Sequence, residues 1–459
     1  MIPMTLREIA ELLGAGLHDV ADDGARVTAP AAVDSREVLP GGLFAATPGA
    51  NVDGHDYAAT AVAAGAVAVL ASRPVGVPAL VVADVRLALG LLARHVLGRL
   101  RPAVIGLTGS VGKTTTKDLL AQVLERHGPT VATDRSFNNE LGLPLTVLRA
   151  DAATRYLVLE MGASRKGDLR YLTGLAPPRI GLVLNVGSAH AERMGGGPAA
   201  VAEAKGELVE ALPPDGFALL NADDPYVMGM AGRTRATILS YGVSPEAAVR
   251  AEDVRMDERA RAAFELVTPA GRAPVRLGLI GAHQVGNALA AAAAATALGL
   301  DPARIAEGLT AARRRSAGRL EIVERPDGVT VVDDAYNASP ESMRAGLRAA
   351  KALAGGRRTV AVLGTMGQQA DASRARHEEI GRLVAGLGFD VLIAVGDGDP
   401  RAMAEAARAA GGGVAVHAVE DVAEATKLAT ALVEPGDVVF VKASSEIGLG
   451  ACARALARA

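Results

Sequence analysis

The stretch Pro102-Ala103-Val104-Ile105-Gly106-Leu107-Thr108-Gly109-Ser110-Val111-Gly112-Lys113-Thr114-Thr115-Thr116 runs from an apolar segment of strand length into a glycine loop. It leads into Lys117-Asp118-Leu119-Leu120-Ala121-Gln122-Val123-Leu124, which has helical spacing. A loop between strand and helix aims several backbone N–H groups at one point, and the helix adds the positive end of its dipole. Lys113 can reach outer phosphates, and the Thr114 hydroxyl can hold Mg²⁺. The segment therefore reads as a nucleoside triphosphate site made by Gly109, Ser110, Val111, Gly112, Lys113, Thr114 and Thr115. The loop is short: the common pattern wants glycine six residues before the lysine, and Leu107 stands there. The competing reading, a glycine turn with an accidental Gly-Lys-Thr, fits the strand–loop–helix context poorly.

The chain has 459 residues, enough for roughly three domains at about 150 residues each. Half of it is hydrophobic but only 3% is aromatic, so its cores must close through small side chains. A net charge of −3 gives no footprint for nucleic acid or an anionic membrane. Cys452 is the only cysteine, which excludes an intrachain disulfide and suits a reducing compartment. Arg7 and Glu8 interrupt the N-terminus where a signal peptide needs an apolar core. The weakly polar run from Tyr57 to Ser72 is shorter than the roughly 18–20 apolar residues of a spanning helix. A cytoplasmic chain is expected, with no nucleic acid partner, no stable membrane insertion and a monomeric state.

From residue 103 onward, apolar runs at 103–107, 156–161, 180–186 and 217–220 alternate with helical patterns, the mark of a parallel sheet covered on both faces. A polar, strand-like stretch near 248–280 suggests an antiparallel excursion. Helix 284–298 is nearly all alanine on one face. Arg313-Arg314-Arg315-Ser316-Ala317-Gly318-Arg319 reads as a domain junction. Beyond it, runs at 329–332, 359–363, 391–395 and 438–442 alternate with helical patterns at 340–353, 374–387, 400–410 and 421–433, a second doubly wound unit. It has no Gly-x-Gly-x-x-Gly fingerprint, so no dinucleotide is assigned. Ahead of residue 100, strands are predicted at 66–70 and 79–82 and a helix at 84–100. The expected fold is α/β, with boundaries at 1–100, 101–313 and 314–459.

Several polar positions fall where such folds place ligands. Glu160 ends the run Tyr156-Leu157-Val158-Leu159, at the crevice edge of a parallel strand, where a second Mg²⁺ group is expected; a solvated glutamate is the plainer reading. His190 follows strand 180–186 and reads equally as structural or as a metal or substrate group. Asn138 and Asn139 sit in a polar turn. Lys205, between Glu203 and Glu207, reads locally as an exposed helix lysine. Gln284 and Asn287 in the first turn of the alanine helix could bond a base or cap the helix. Asp333-Asp334-Ala335-Tyr336-Asn337 is a strand end that suggests a ligand edge.

Taken together these segments resemble the Mur ligase family, in its MurF type. The resemblance covers nearly the whole chain. It rests on Asp34-Ser35-Arg36, Pro40-Gly41-Gly42-Leu43-Phe44, Asp53-Gly54-His55-Asp56-Tyr57, the short Thr-Gly-x-x-Gly-Lys-Thr loop, Phe137-Asn138-Asn139-Glu140 and Glu160-Met161-Gly162-Ala163. Asn185 to His190, Ala204-Lys205-Gly206-Glu207, residues 281–287, Gly318-Arg319-Leu320-Glu321 and residues 334–340 complete it. It implies an N-terminal UDP-sugar domain, a central P-loop ATPase domain and a C-terminal Rossmann-like domain. It implies an ATP- and Mg²⁺-dependent ligase that joins D-Ala-D-Ala to a UDP-MurNAc-tripeptide through an acyl phosphate.

On that resemblance Lys113, Glu160, His190 and Lys205 are catalytic. Thr114 and Glu160 hold one Mg²⁺, and His190 with Lys205, as a carbamate, a second. Gln284 and Asn287 fall at the adenine, Arg319 and Asp334 at the ribose. Ser35, Arg36, Asn138, Asn139, Tyr336 and Asn337 fall at the other substrates. The sequence departs from the family pattern at Met366-Gly367-Gln368-Gln369-Ala370, at Lys442-Ala443-Ser444-Ser445-Glu446, where an arginine is lost, and at Ala50-Asn51. The first two leave open a paralogue that uses another amine, such as a different D-Ala-containing dipeptide, a depsipeptide or a specialised-metabolite acceptor. A non-catalytic nucleotide-binding protein is the third reading, and the presence of all the catalytic positions weighs against it.

Overall fold

The structure is a computed structural model that describes residues 1–49, 52–188, 191–367 and 372–459. It is α/β throughout, with three sheet-based units. The central sheet has nine strands. In spatial order they are Gly271–Ile280, Arg261–Thr268, Val249–Met256, Thr237–Gly242, Phe217–Asn221, Ile180–Val183, Ala103–Thr108, Tyr156–Glu160 and Thr130–Ala132. The strands from Thr130–Ala132 to Val249–Met256 are parallel, and the last two pair antiparallel. The antiparallel excursion expected near 248–280 is thus three strands.

Ala103–Thr108 is the topological switch point, with Tyr156–Glu160 on one side and Ile180–Val183 on the other. The pairing sets Leu107 opposite Glu160, and Thr108 opposite Val183. The loops that follow all three strands therefore leave the sheet together, at the edge where α/β folds bind ligands. The expected strand 180–186 stops at Val183, because Asn185 turns to bond the glycine loop instead. Tyr241 supports this turn from below: its buried hydroxyl donates to Val183 O at 2.8 Å.

The alanine helix, Gln284–Ala297, is buried along Ala288 to Ala295. Side chains this small let it lie close against helix Lys113–Glu125, and both belong to one apolar core. The strands of the C-terminal unit run in the order Glu321–Glu324, Thr330–Asp333, Val438–Lys442, Thr359–Gly364, Val391–Val395 and Ala415–Val419, parallel except for the first. Both outer strands go beyond the sequence expectation. Their side chains are half-exposed, so they lack the apolar runs that mark the inner four.

The N-terminal unit is a five-stranded sheet, Gly16–His18, Ala79–Val81, Ala68–Ala71, Leu43–Ala45 and Ala31–Ala32, beside a ribbon of Met4–Thr5 with Arg26–Val27. Its strand begins at Ala68 rather than 66, because Gly65 and Ala66 close the preceding helix through Val62 O and Ala61 O. Helix Val85–Arg99 leads out of it, capped by Asp84, which accepts from Leu87 N–H at 3.0 Å. No described helix is long and apolar enough to cross a membrane.

The Tyr241 bond makes a stability prediction. Tyr241→Phe removes this buried hydrogen bond and is expected to cost about 1 kcal/mol. A lowered thermal midpoint measures this, and an unchanged midpoint contradicts it.

Candidate active site

The glycine loop is shaped by its own lysine and by the neighbouring strand. Lys113 Nζ donates back to Gly109 O at 2.8 Å. Gly112 sits at φ +83°, in the left-handed region, and a Cβ there would collide with Asn287 Oδ1. Asn185 Oδ1 accepts from the N–H groups of Ser110 and Val111 at 3.0 and 2.9 Å, and its Nδ2 donates to Val111 O at 3.0 Å. Helix Lys113–Glu125 has no side-chain N-cap, so its first N–H groups stay available to an anion.

Across the loop stands Glu160. Asn138 Nδ2 donates to Glu160 Oε1 at 2.7 Å, while Glu160 Oε2 is buried with no partner. Asn139 does a different job: its Oδ1 accepts from Leu141 and Gly142 N–H and shapes the turn. Thr114 Oγ1 lies 3.0 Å from Ser136 Oγ. Arg319 reaches over from the C-terminal unit, with Nη2 at 3.4 Å from Thr114 Oγ1 and 3.5 Å from Ser136 Oγ. Its guanidinium lies over the Tyr336 ring at 4.2 Å, and its Nε is buried without a partner. Arg319 is thus at the phosphate-loop threonine.

Lys205 corrects its local reading: it is 2% exposed. The two glutamates beside it are engaged elsewhere. Glu203 pairs with Lys166 at 3.1 Å, and Glu207 accepts from Gly167 and Arg170 N–H at 2.7 and 3.1 Å, at the start of helix Asp168–Leu175. Burial, and then the charge of Lys113, hold the Lys205 amine well below the ordinary lysine range. Lys113 is also lowered, by burial first; Arg319 adds to the shift and Glu160 opposes it. Two lysines share this interior with an incompletely satisfied carboxylate.

On the C-terminal side the organiser is Lys442, buried and held below the ordinary lysine range by burial, against the pull of Asp334. Its Nζ donates to Asp334 Oδ2 at 2.5 Å, Asp334 O at 3.2 Å and Asn337 O at 2.8 Å. Asp334 Oδ1 accepts from Leu320 N–H at 3.1 Å. These bonds fix the turn that presents Tyr336 and Asn337.

A cleft of about 1040 Å³ joins these parts, lined by the glycine loop, Glu160, Arg319, Tyr336, Asn337 and Ser444–Glu446 among others. A smaller cavity of about 310 Å³ lies behind it, between Thr115, Asp118, Gln284, the 313–316 segment and Arg319. Asn287 bridges the two regions: its Nδ2 donates to Gln284 Oε1 at 2.8 Å, and its Oδ1 accepts from Thr116 Oγ1 at 3.3 Å.

Ser35 and Arg36 do not line the cleft. Ser35 is buried and Arg36 is exposed and tied to Asp34 at 2.6 Å, with Asp34 lowered to about 2 by the Arg36 side chain and amide. The N-terminal unit contributes Asp84, Arg86 and Leu87 instead, with Ser136 and Tyr171 from the centre. Sequence reasoning passed over these five; only the capping position of Asp84 carried a local signal. Ala189 and His190 lie outside the described residues, as do Ala50-Asn51 and Gln368–Asp371.

The oxygen donors fit a hard cation. Glu160 Oε2 is buried and unpartnered, which is costly for a carboxylate, and the Thr114 hydroxyl is the other donor. No group of three or more His, Cys, Asp or Glu that could hold a metal ion occurs among the described residues. Mg²⁺ needs none, because it takes one or two carboxylates together with substrate phosphates.

Comparison with known proteins agrees with this geometry. Family models match along the chain: "Mur ligase family, catalytic domain" at residues 32–100, "Mur ligase middle domain" at 107–295 and "Mur ligase, glutamate ligase domain" at 318–445. The UDP-N-acetylmuramoyl-tripeptide–D-alanyl-D-alanine ligase of Mycobacterium tuberculosis is 45% identical, over 99% of this chain and 98% of that protein. A MurF crystal structure from Acinetobacter baumannii superposes with a TM-score of 0.85 at 32% identity, covering 100% of this chain and 99% of that one. The MurF ligase of Thermotoga maritima in complex with ADP gives 0.79 at 29% identity, over 94% and 98%. From the short phosphate loop through to Lys442, this chain belongs to the Mur ligase family, and within it to the MurF type.

Proposed function

We propose that this protein is an ATP-dependent amide ligase that adds D-Ala-D-Ala to a UDP-MurNAc-tripeptide in cytoplasmic peptidoglycan precursor synthesis. The observation that carries the reading is the cleft in which the glycine loop, Lys113, Thr114, Glu160 and Arg319 face Tyr336, Asn337 and Ser444–Glu446. Full-length relatives that carry the D-alanyl-D-alanine ligase name support it, and they do not favour the other-amine paralogue. Residues 1–100 would hold the UDP-sugar, 101–313 the ATP and 314–459 the amine.

A carboxylate is a poor electrophile because oxide is a poor leaving group. Attack of the tripeptide carboxylate on the γ-phosphorus expels ADP and converts that oxygen into part of a phosphate. The dipeptide amine then attacks the carbonyl carbon, loses a proton and expels phosphate. Lys113 and the loop amides hold the triphosphate, and Arg319 approaches from the opposite side. Repulsion between substrate carboxylate and triphosphate is the barrier such a site must lower. Thr114 and Glu160 would hold Mg²⁺, with Lys205 as its carbamate and His190 at a second ion; bound there, Mg²⁺ would neutralise the triphosphate charge. Gln284 would meet the adenine from the smaller cavity, with Asn287 bonded to it, and Arg319 and Asp334 the ribose. Ser35 and Arg36 would serve the UDP-sugar, and Asn138, Asn139, Tyr336 and Asn337 the peptide substrates.

Only a neutral amine adds to CO₂. The N–C bond forms, one proton leaves, and the neutral amine becomes an anionic carbamate. The lowered Lys205 amine is suited to this, and its conversion relieves its repulsion with Lys113.

Purified protein given ATP, Mg²⁺, UDP-MurNAc-tripeptide and a panel of dipeptides should release phosphate preferentially with D-Ala-D-Ala. No turnover with that pair, or a clear preference for another amine, overturns the reading. Lys205→Ala should lower kcat by about a hundredfold or more while ADP still binds, and CO₂-depleted wild-type enzyme should regain activity with bicarbonate. Full activity in Lys205→Ala rejects the carbamate.

A further inference from the structure

The segment Asn185–Ser188 forms a continuous series of hydrogen bonds from the phosphate loop to the C-terminal unit. Asn185 holds the amides of Ser110 and Val111. Val186 N–H donates to Asp224 Oδ2 at 2.8 Å, and Gly187 N–H donates to Ser110 Oγ at 2.8 Å. Ser188 N–H and Oγ–H both donate to Glu341 Oε1, at 3.1 and 2.9 Å. Glu341 belongs to the first turn of helix Pro340–Ala354, directly after the Tyr336-Asn337 turn. Gly187 leaves the room: a Cβ there would sit 3.1 Å from both Glu341 Cδ and Ser110 Cβ. Glu341 itself does not line the cleft.

Arg315 and Ser316 bond Glu125 and Asp118 at the junction itself, and beyond it two further side chains of the C-terminal unit, Arg319 and Glu341, reach the central unit by hydrogen bonds among the described residues. Arg319 reaches Thr114, on the helix side of the phosphate loop, at 3.4 Å. Glu341 reaches Ser188, and through Gly187 the Ser110 side of the same loop, with the shorter bonds. The segment it grips is the one that leads to His190. A carboxylate with two donors on one oxygen is a strong and directional contact, and its second oxygen is buried without a partner.

We propose that Glu341 is a positioning residue, a latch through which docking of the C-terminal unit sets the phosphate loop. The inference rests on the ligation reading for its kinetic consequence. When the unit that carries the amine is docked, Ser188, Gly187 and Ser110 are locked in sequence. When it parts, the loop loses that brace, and an acyl phosphate formed then is open to water. The latch ties phosphoryl transfer to the presence of the amine-bearing unit.

The test compares Glu341→Ala with Glu341→Gln, which keeps one oxygen to accept both Ser188 bonds. Glu341→Ala is expected to raise the KM for D-Ala-D-Ala and lower kcat by about tenfold. Phosphate released per ligated product should rise above one, with ADP affinity within about twofold of wild type; Glu341→Gln should restore most of the loss. Matching melting curves show that the variants fold. Small-angle scattering of the ADP-bound proteins needs no ligation and so tests the latch even if the proposed reaction is wrong: Glu341→Ala should be more extended than wild type. A Glu341→Ala protein with wild-type kinetics, one phosphate per product and an unchanged scattering profile overturns the proposal. So does a folded Glu341→Gln protein as defective as Glu341→Ala.

Discussion

Three neighbouring parallel strands, Ala103–Thr108, Tyr156–Glu160 and Ile180–Val183, end at one level, and the site depends on that register. The middle strand releases the glycine loop, one neighbour releases Glu160, and the other releases Asn185. A shift of one residue in a strand pairing turns every side chain to the other face. Glu160 would then leave the crevice and Asn185 would lose the Ser110 and Val111 amides. The alanine helix serves the same end by letting Asn287 approach Gly112 closely.

Around that register the protein has assembled a charge problem whose solution requires ligands. Burial holds both Lys113 and Lys205 below the ordinary lysine range, Lys113 lowers Lys205 further, Arg319 adds a third cation, and Glu160 keeps one buried oxygen unsatisfied. Buried charges of this kind are costly without partners. Triphosphate and a divalent cation are partners of the right signs. On the other bank, Lys442 and Asp334 pair with each other and stabilise a turn.

How much of this was legible in the sequence follows from how local each signal is. The nucleotide loop was readable because strand, glycine turn and helix are contiguous, and the inner strands of both large sheets were readable because burial on both faces makes them continuously apolar. The edge strands Glu321–Glu324 and Ala415–Val419 face solvent on one side and left no such run. Lys205 looked exposed because its flanking glutamates are polar. Its burial is a tertiary fact, set by where Glu203 and Glu207 find other partners. The Lys442–Asp334 pair spans 108 residues, a separation over which spacing says nothing. Only the family resemblance connected such distant positions, and the departures at Gly367 and at Ser444–Glu446 fall on the cleft wall of the C-terminal unit. There Ser444 Oγ accepts from Gly367 N–H at 2.5 Å, so the two departing segments are joined to each other.

In the proposed reaction ATP activates a carboxylate as its acyl phosphate. A UDP-MurNAc-tripeptide labelled with ¹⁸O in its terminal carboxylate tests it directly, by mass spectrometry of the phosphate released during ligation. One labelled oxygen is expected in each phosphate, carried over from the carboxylate. Unlabelled phosphate accompanying product would contradict it.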